Sequence, residues 1–188
     1  MAIDAFMWFQ SYDGRYLESE SQVDLAKDPH ISAVLYPPNA NIFEVEDYSF
    51  DIAQTLNIGS QSTGAGAGKV TFNPFRITRK TDKASPLLFQ MACSGTPFQT
   101  VALVLRKSTA GSTAATAFLK FTFKLVAVKT ISWAHSNELP KESVTFEYGD
   151  MVIEYWQQKA DGAMGTKVVD GWNRVKNTAD NDPATIVK

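Results

Sequence analysis

Cysteine and histidine are nearly missing from this chain of 188 residues, which holds one cysteine, Cys93, and two histidines, His30 and His135. A single thiol rules out an intrachain disulfide and suits a reducing compartment. Three such ligands without metal-ligand spacing offer no zinc site. Charge of one sign is lacking too. Eighteen Lys and Arg stand against twenty Asp and Glu, a formal charge of −2. With bases scattered among acids there is no electrostatic footprint for nucleic acid and none for an anionic membrane. Long hydrophobic runs are absent. The opening MAIDAFMWFQ carries Asp4 inside its apolar stretch, has no basic leader, and is too short for a signal peptide or a membrane span. It reads as a first strand. What is present is 44% hydrophobic and 12% aromatic residues, enough at this length for one domain that buries roughly 70% of its unfolded surface.

The stretch from Val70 to Leu105 is the most informative. In VTFNPFRITRK the apolar set Val70, Phe72 shifts phase after Asn73-Pro74 to Phe75, Ile77, which predicts a strand with a bulge or bend. In KASPLLFQMACSG, Ser85 is placed to cap a helix. Pro86 suits the first helical position and Gly95 the left-handed residue after its end. A helix of barely two turns must be held by burying Leu87, Leu88 and Met91 against a sheet. Val101, Leu103 and Leu105 then resume strand period.

The remaining chain reads as strands. Ile3 to Phe9 ends at the turn Ser11-Tyr12-Asp13-Gly14. Leu17 to Asn41, broken by Pro29 and Pro37-Pro38, reads as an insertion or long loop with at most a helical turn near Val23 to Lys27. Ile42 to Ile58 is extended again and leads into NIGSQSTGAGAGK, a flexible connection with no charge between Asp51 and Lys69. In AFLKFTFKLVAVKTISW, Leu119, Phe121, Phe123, Leu125 and Ala127 share one face. Lys120, Thr122 and Lys124 share the other, the pattern of a half-exposed antiparallel strand. VTFEYGDMVIEYW places Val144, Phe146 and Tyr148 on one face, breaks at Gly149, and resumes with Met151, Ile153 and Tyr155. Beyond Gln157 only Val168, Val169 and Trp172 offer anchors, and disorder is expected from Asn177. The expected fold is mainly β, a small antiparallel barrel with one short flanking helix, since closure removes exposed edges. Residues 1–176 form one domain with an insertion at about 17–41, and 177–188 a disordered tail.

No chemical motif survives close reading. Gly64, Gly66, Gly68 and Lys69 lack Walker spacing, because Thr63 stands where glycine is needed and Val70 where a hydroxyl is needed. Cys93 has only the sequence-distant His30 and His135 as bases and reads as a small buried hydrophobe. Glu147 and Glu154 are solvated or lumen-facing charges rather than a glycosidase pair, which needs about 5 Å between carboxyl groups and a cleft. Phe121, Phe123, Tyr148, Tyr155 and Trp156 are core or subunit-contact residues rather than a base-stacking platform. No catalytic residue, cofactor or metal is expected.

Three segments carry a family resemblance: VTFNPFRITRKTDKASPLLFQMACSG, the strand VALVLRKS, and VTFEYGDMVIEYWQQKADG. Together they resemble the Hcp family (haemolysin co-regulated protein), the tube proteins of bacterial type VI secretion, over roughly Val70 to Trp172. The most specific pieces are Thr81-Asp82-Lys83-Ala84-Ser85-Pro86, similar to the family's strand-to-helix junction, and Tyr155 to Gly162, similar to its closing strand and turn. The match is weaker in the opening strand and around Tyr48 to Gly59. The segment from Glu20 to Asn41 departs from the pattern in length and proline content.

The resemblance implies a homohexameric ring that stacks into a tube. That tube is held in the bacterial cytoplasm before firing and then expelled without a cleavable signal peptide. Other type VI components and effector proteins carried in its lumen are the implied partners, with no nucleic acid and no membrane insertion. It also implies a long extended loop. With the small uncharged residues there, this makes Asn57, Ser60, Gln61, Ser62, Thr63, Gly64, Gly66 and Gly68 candidates for contact between stacked rings. The alternative is a monomeric barrel that binds a small molecule inside, in which neither the helix junction nor the uncharged loop has a role.

Overall fold

Polar and apolar alternation turns most of the chain into strands, and the elements follow in this order. Strands β1 (Ile3–Ser11), β2 (Phe43–Val45), β3 (Asp47–Ser49), β4 (Ile52–Asn57), β5 (Gly66–Phe72) and β6 (Phe75–Lys80) precede helix α1 (Ser85–Ser94). After it come β7 (Phe98–Lys107), β8 (Thr116–Ala134), β9 (Lys141–Gln158), β10 (Met164–Asn173) and β11 (Thr178–Ala179). The computed structural model describes residues 3–23, 25, 42–57, 66–107, 116–135, 139–159 and 163–184, with backbone alone for 56–57 and 66–69.

The main sheet is antiparallel and runs β11-β10-β9-β8-β7-β1-β2. Strand β9 is long enough to hold two neighbours on its second side. β6 pairs with its first part, Phe75 opposite Phe146, and β10 with its later part, Trp172 opposite Met151. Strands β2 and β3 are one extended segment interrupted at Glu46. Val45 lies opposite Ala5 of β1, whereas Tyr48 lies opposite Ile77 of β6. Pairing therefore passes from β1 through this segment to β6 and back to β9, a barrel-like circuit. The Glu46 N–H donates to the Thr78 carbonyl at 2.9 Å across the interruption. Strands β4 and β5 form a separate two-stranded sheet.

The interior is filled by aromatic rings from several strands. Phe75 stacks on Phe123 with centroids 4.6 Å apart, and Phe9 meets Phe43 edge to face at 5.2 Å, geometries in which aromatic pairs add to simple burial. Phe98 and Phe146 complete this core. A second cluster lies on the opposite face of the sheet, where Phe6, Trp8, Ala102, Val104 and Ala117 are covered by Leu25 and Ile42. Strands β1 and β7 thus bury both faces at their centres, which is why AFMWF and VALVL are continuous apolar runs rather than alternating ones. In the expected insertion, Leu17 joins the main core, Leu25 the second cluster, and the Ser19 hydroxyl donates to the Ile42 carbonyl at 2.6 Å. The helical turn expected near Val23 to Lys27 falls largely outside the described residues.

Several expectations need correction. Asn73-Pro74 is not a bulge within one strand but the break between two strands in different sheets, because proline has no N–H to give a ladder. Asn73 then ties the hairpin to its own start, its side chain donating to the Asp51 carboxylate at 2.6 Å. On β8 the polar set Lys120, Thr122 and Lys124 is buried, not exposed. Leu125 has a φ of 50°, and past it Val126 and Val128, rather than Leu125 and Ala127, enter the core. Strand β9 shifts phase beside it: Tyr148 and Met151 both face the core, on either side of Gly149. A Cβ at Gly149 would lie 3.1 Å from Leu125 Cδ2. Of the tail from Asn177, residues 178–179 form β11, and Asp180 and Asp182 both reach Lys124.

Candidate assembly site

The segment SPLLFQMACS carries no charge at all, yet part of its helix faces outward. Ser85, Leu88 and Met91 point to the core at a spacing of three. Leu87, expected in the core, is 42% exposed and Phe89 is 52% exposed. Pro86 lies in the first turn, and Gly95, with a φ of 67°, ends the helix by donating its N–H to the Met91 carbonyl. Ser85 does not cap. The capping position is Ala84, whose N–H is taken by the Asp82 carboxylate at 2.8 Å, while the Ser85 hydroxyl accepts the Asp82 N–H at 3.2 Å. The sequence places an acid three residues before a serine, so the two side chains exchange partners across the turn.

Asp82 connects this junction to a buried network. The Arg79 guanidinium bonds Asp82, lies 4.6 Å over the Phe43 ring, and donates from Nε to Glu142 Oε1 at 2.7 Å. The second oxygen of Glu142 accepts Trp133 Nε1 at 3.1 Å. Trp133 is 51% exposed, and its ring centroid lies 6.1 Å from that of Phe89. A buried acid therefore fixes an indole on the surface beside the uncharged helix. An exposed aromatic held in one geometry is suited to contact, because little ordering cost remains for binding. Neither Phe89 nor Trp133 was singled out from the sequence. Their signal is two large aromatics on the outward positions of α1 and the end of β8.

The hairpin β4–β5 is the second surface. Asn57 lies opposite Gly66 in its last pair, and Gly68 is in β5. Ser60, Gln61, Ser62, Thr63 and Gly64 lie outside the described residues. Arg174 clamps the hairpin root to the main sheet, donating to the Tyr148 carbonyl at 2.5 Å and the Phe72 carbonyl at 3.4 Å. Its guanidinium also covers the Tyr148 ring at 4.7 Å. Burial pushes the Tyr148 phenol up to about 12, against the pull of Arg174, so it stays neutral at physiological pH.

The residues weighed for chemistry are dispersed. Cys93 is exposed on α1 rather than buried, and His135 is exposed at the end of β8. His30 lies outside the described residues. Glu147 pairs with Lys129 at 2.8 Å. Glu154, expected to be solvated or lumen-facing, is instead buried between Lys120 at 3.2 Å and Lys167 at 2.6 Å. Burial pushes the Lys120 ammonium down despite the attraction of Glu154. Phe121, Phe123, Tyr148 and Trp156 are buried, while Tyr155 is 43% exposed. A groove of about 610 Å³ runs past Phe43, Glu46, Arg79 and Asp82. Of the charges that line it, Arg79 is paired with Glu142 and Glu46 with Lys141 at 2.8 Å. Among the described residues no cluster of His, Cys, Asp or Glu is placed to hold a metal ion, and no helix is long and apolar enough to cross a membrane.

Comparison with known proteins agrees with this fold. Residues 37–155 match the family described as type VI secretion system effector, Hcp. The chain is 35% identical over 112 residues to protein hcp1 of Pseudomonas aeruginosa, an overlap of 58% of this chain and 68% of that one. A solved structure of a type six secretion system protein superposes with a TM-score of 0.76 at 23% identity, over 95% of this chain and all of the other. Hcp1 from Salmonella typhimurium superposes with a TM-score of 0.67 at 22% identity, over 96% and 100%. These two likenesses concern the fold, whereas the family match covers more than half of the sequence. The chain belongs to the Hcp family of type VI secretion tube proteins.

Proposed function

We propose that six copies of this chain form a ring, that rings stack into the type VI secretion tube, and that the tube is expelled with effector proteins in its lumen. The protein works by assembly and release and performs no chemistry. It waits in the cytoplasm and leaves when the system fires. The observation that carries the lateral contact is the exposed Phe89–Trp133 pair, an aromatic patch on the uncharged helix α1 and the end of β8. Left uncovered on a secreted, soluble chain, such a surface invites a partner, and a head-to-tail contact of this kind closes into a ring when the rotation permits. The hairpin β4–β5, with Asn57, Gly66 and Gly68 and the uncharged residues 60–64 between its strands, supplies the contact from ring to ring. Small uncharged residues there let one ring meet the next without charge repulsion.

The alternative, a monomeric barrel holding a small molecule, is disfavoured by what fills the interior. Phe9, Phe43, Phe75, Phe98, Phe123 and Phe146 occupy the space that a ligand cup keeps open. Negative-stain averaging tests the proposal: sixfold rings are expected, and class averages of a single small particle with no rings contradict it.

A further inference from the structure

The outer face of β8 and β9 carries a buried charged cluster that assembly does not explain. Lys124 and Asp150 are directly opposite each other and are 1% and 0% exposed. The Lys124 ammonium is shared by two carboxylates and a carbonyl: Asp150 Oδ1 at 3.5 Å, Asp180 Oδ2 at 3.3 Å and the Asp182 backbone oxygen at 2.7 Å. Asp180 and Asp182 belong to the segment after β11. That segment is otherwise fastened by two residue pairs to β10 and by the Asp180 N–H on the Gly171 carbonyl at 3.1 Å. Asn173 of β10 donates to Asp150 Oδ2 at 2.9 Å, and among the described residues none donates to Asp150 Oδ1. Among the described residues of these strands, Lys120 of β8, Glu154 of β9 and Lys167 of β10 are charged on this face too and form their own cluster four residues along, beyond Thr122 and Val152. Thr100 of β7, opposite Lys124, is uncharged.

Two carboxylates on one ammonium in a buried site repel each other unless one takes a proton. We propose that the segment 177–184 is a proton-linked latch, fastened most tightly when Asp150 is protonated and hydrogen-bonds the Asp180 carboxylate, and loosened when both acids are charged. Burial, opposed by Lys124 and aided by the neighbouring Asp180, raises the Asp150 carboxyl to about 6. Burial also pushes Asp180 up, but the Asp182 N–H, Asp150 and Lys124 outweigh it and hold Asp180 below its ordinary value. The sign follows. A carboxyl whose pKa is raised in the closed state binds its proton more tightly there than in the open one. Closure is therefore favoured as pH falls through 6 toward the ordinary carboxylate range, and that advantage is lost above 6. Opening frees the β11 pairing and uncovers a lysine ammonium, so the latch makes the C-terminal segment available near neutrality and withdraws it in mild acid.

Hydrogen exchange of the full-length protein, read by mass spectrometry on peptides spanning residues 174–184 and corrected for intrinsic exchange rates, tests this. Protection of that segment is expected to be higher at pH 5 than at pH 7.5 by at most about tenfold, the factor that a pKa difference of about two units yields at pH 5. Asp150→Asn keeps the amide geometry toward Asn173 and removes the proton, so protection becomes equal at the two pH values. Asp180→Asn removes the strap's own carboxylate but leaves Asp150 buried, so it is expected to weaken the pH dependence without abolishing it, which keeps the test informative if Asp150→Asn fails to fold. Equal protection at both pH values in the parent protein, or an unchanged pH dependence in either folded variant, overturns the proposal.

Discussion

Arg79 and Glu142 are joined at 2.7 Å with side chains 2% and 0% exposed, and this one ion pair ties the strand-to-helix junction to the surface tryptophan. Its value lies in what each partner would cost alone. Glu142→Ala leaves the Arg79 guanidinium with Asp82 and the Ser85 hydroxyl and releases Trp133 Nε1. A loss of about 1 to 3 kcal/mol is expected in urea denaturation, the cost of leaving the buried Arg79 Nε without its acceptor while Asp82 still pairs the charge. A loss below about 1 kcal/mol contradicts the assignment of this pair as buried and coupled.

The two leucines of α1 separate by position. Leu88 is fully buried in the main core, so Leu88→Ala is expected to cost about 2 to 5 kcal/mol. Leu87→Ala, on the exposed side, is expected to stay within about 0.5 kcal/mol, and so is Cys93→Ser. Thermal melts of the three variants distinguish them, and equal losses at Leu87 and Leu88 contradict the orientation of the helix.

Gly171 lies beneath the C-terminal segment with no room for a side chain. A Cβ there would collide with the Asp180 carbonyl oxygen and lie 2.7 Å from the Met151 carbonyl oxygen, so backbone must move. Gly171→Ala is expected to cost about 1 to 3 kcal/mol and to speed exchange of the Asp180 amide. A variant with parental stability and exchange places the strap elsewhere.

Phe89→Lys puts a charge on the uncharged face without touching the core. The melt is expected to stay within about 0.5 kcal/mol of the parent, while the ring population seen by size exclusion falls sharply at equal concentration. Intact rings in this variant remove α1 from the lateral contact.

Replacing residues 58–65 with Asn-Gly leaves Asn57 opposite Gly66 across a two-residue turn, a connection that antiparallel strands accept. Rings are expected to form and tubes to be lost, by negative-stain microscopy. Tubes equal to the parent's contradict a stacking role for the hairpin.

Local chemistry in the sequence announced local structure. Pro86 and Gly95 bracket α1, and the break at Gly149 marks where β9 changes phase, because each of these residues acts on its own backbone. Longer-range partners were not legible. Alternation on β8 correctly put Lys120, Thr122 and Lys124 on one face, but it cannot distinguish water from Glu154 and Asp150 in the next strand. The tail looked too polar to be ordered, and it is its polar atoms, Asp180 Oδ2 and the Asp182 carbonyl, that meet Lys124. Ser85 looked like a cap because serine favours that position, yet Asp82 reaches the Ala84 N–H and Ser85 turns back to the Asp82 N–H. The assembly surface at Phe89 and Trp133 needed the fold to bring α1 against the end of β8.

Native mass spectrometry of the purified protein tests the central claim most directly. The account predicts a dominant species of six times the 20.7 kDa chain mass at micromolar concentration. A chain-mass monomer as the sole species under those conditions contradicts it.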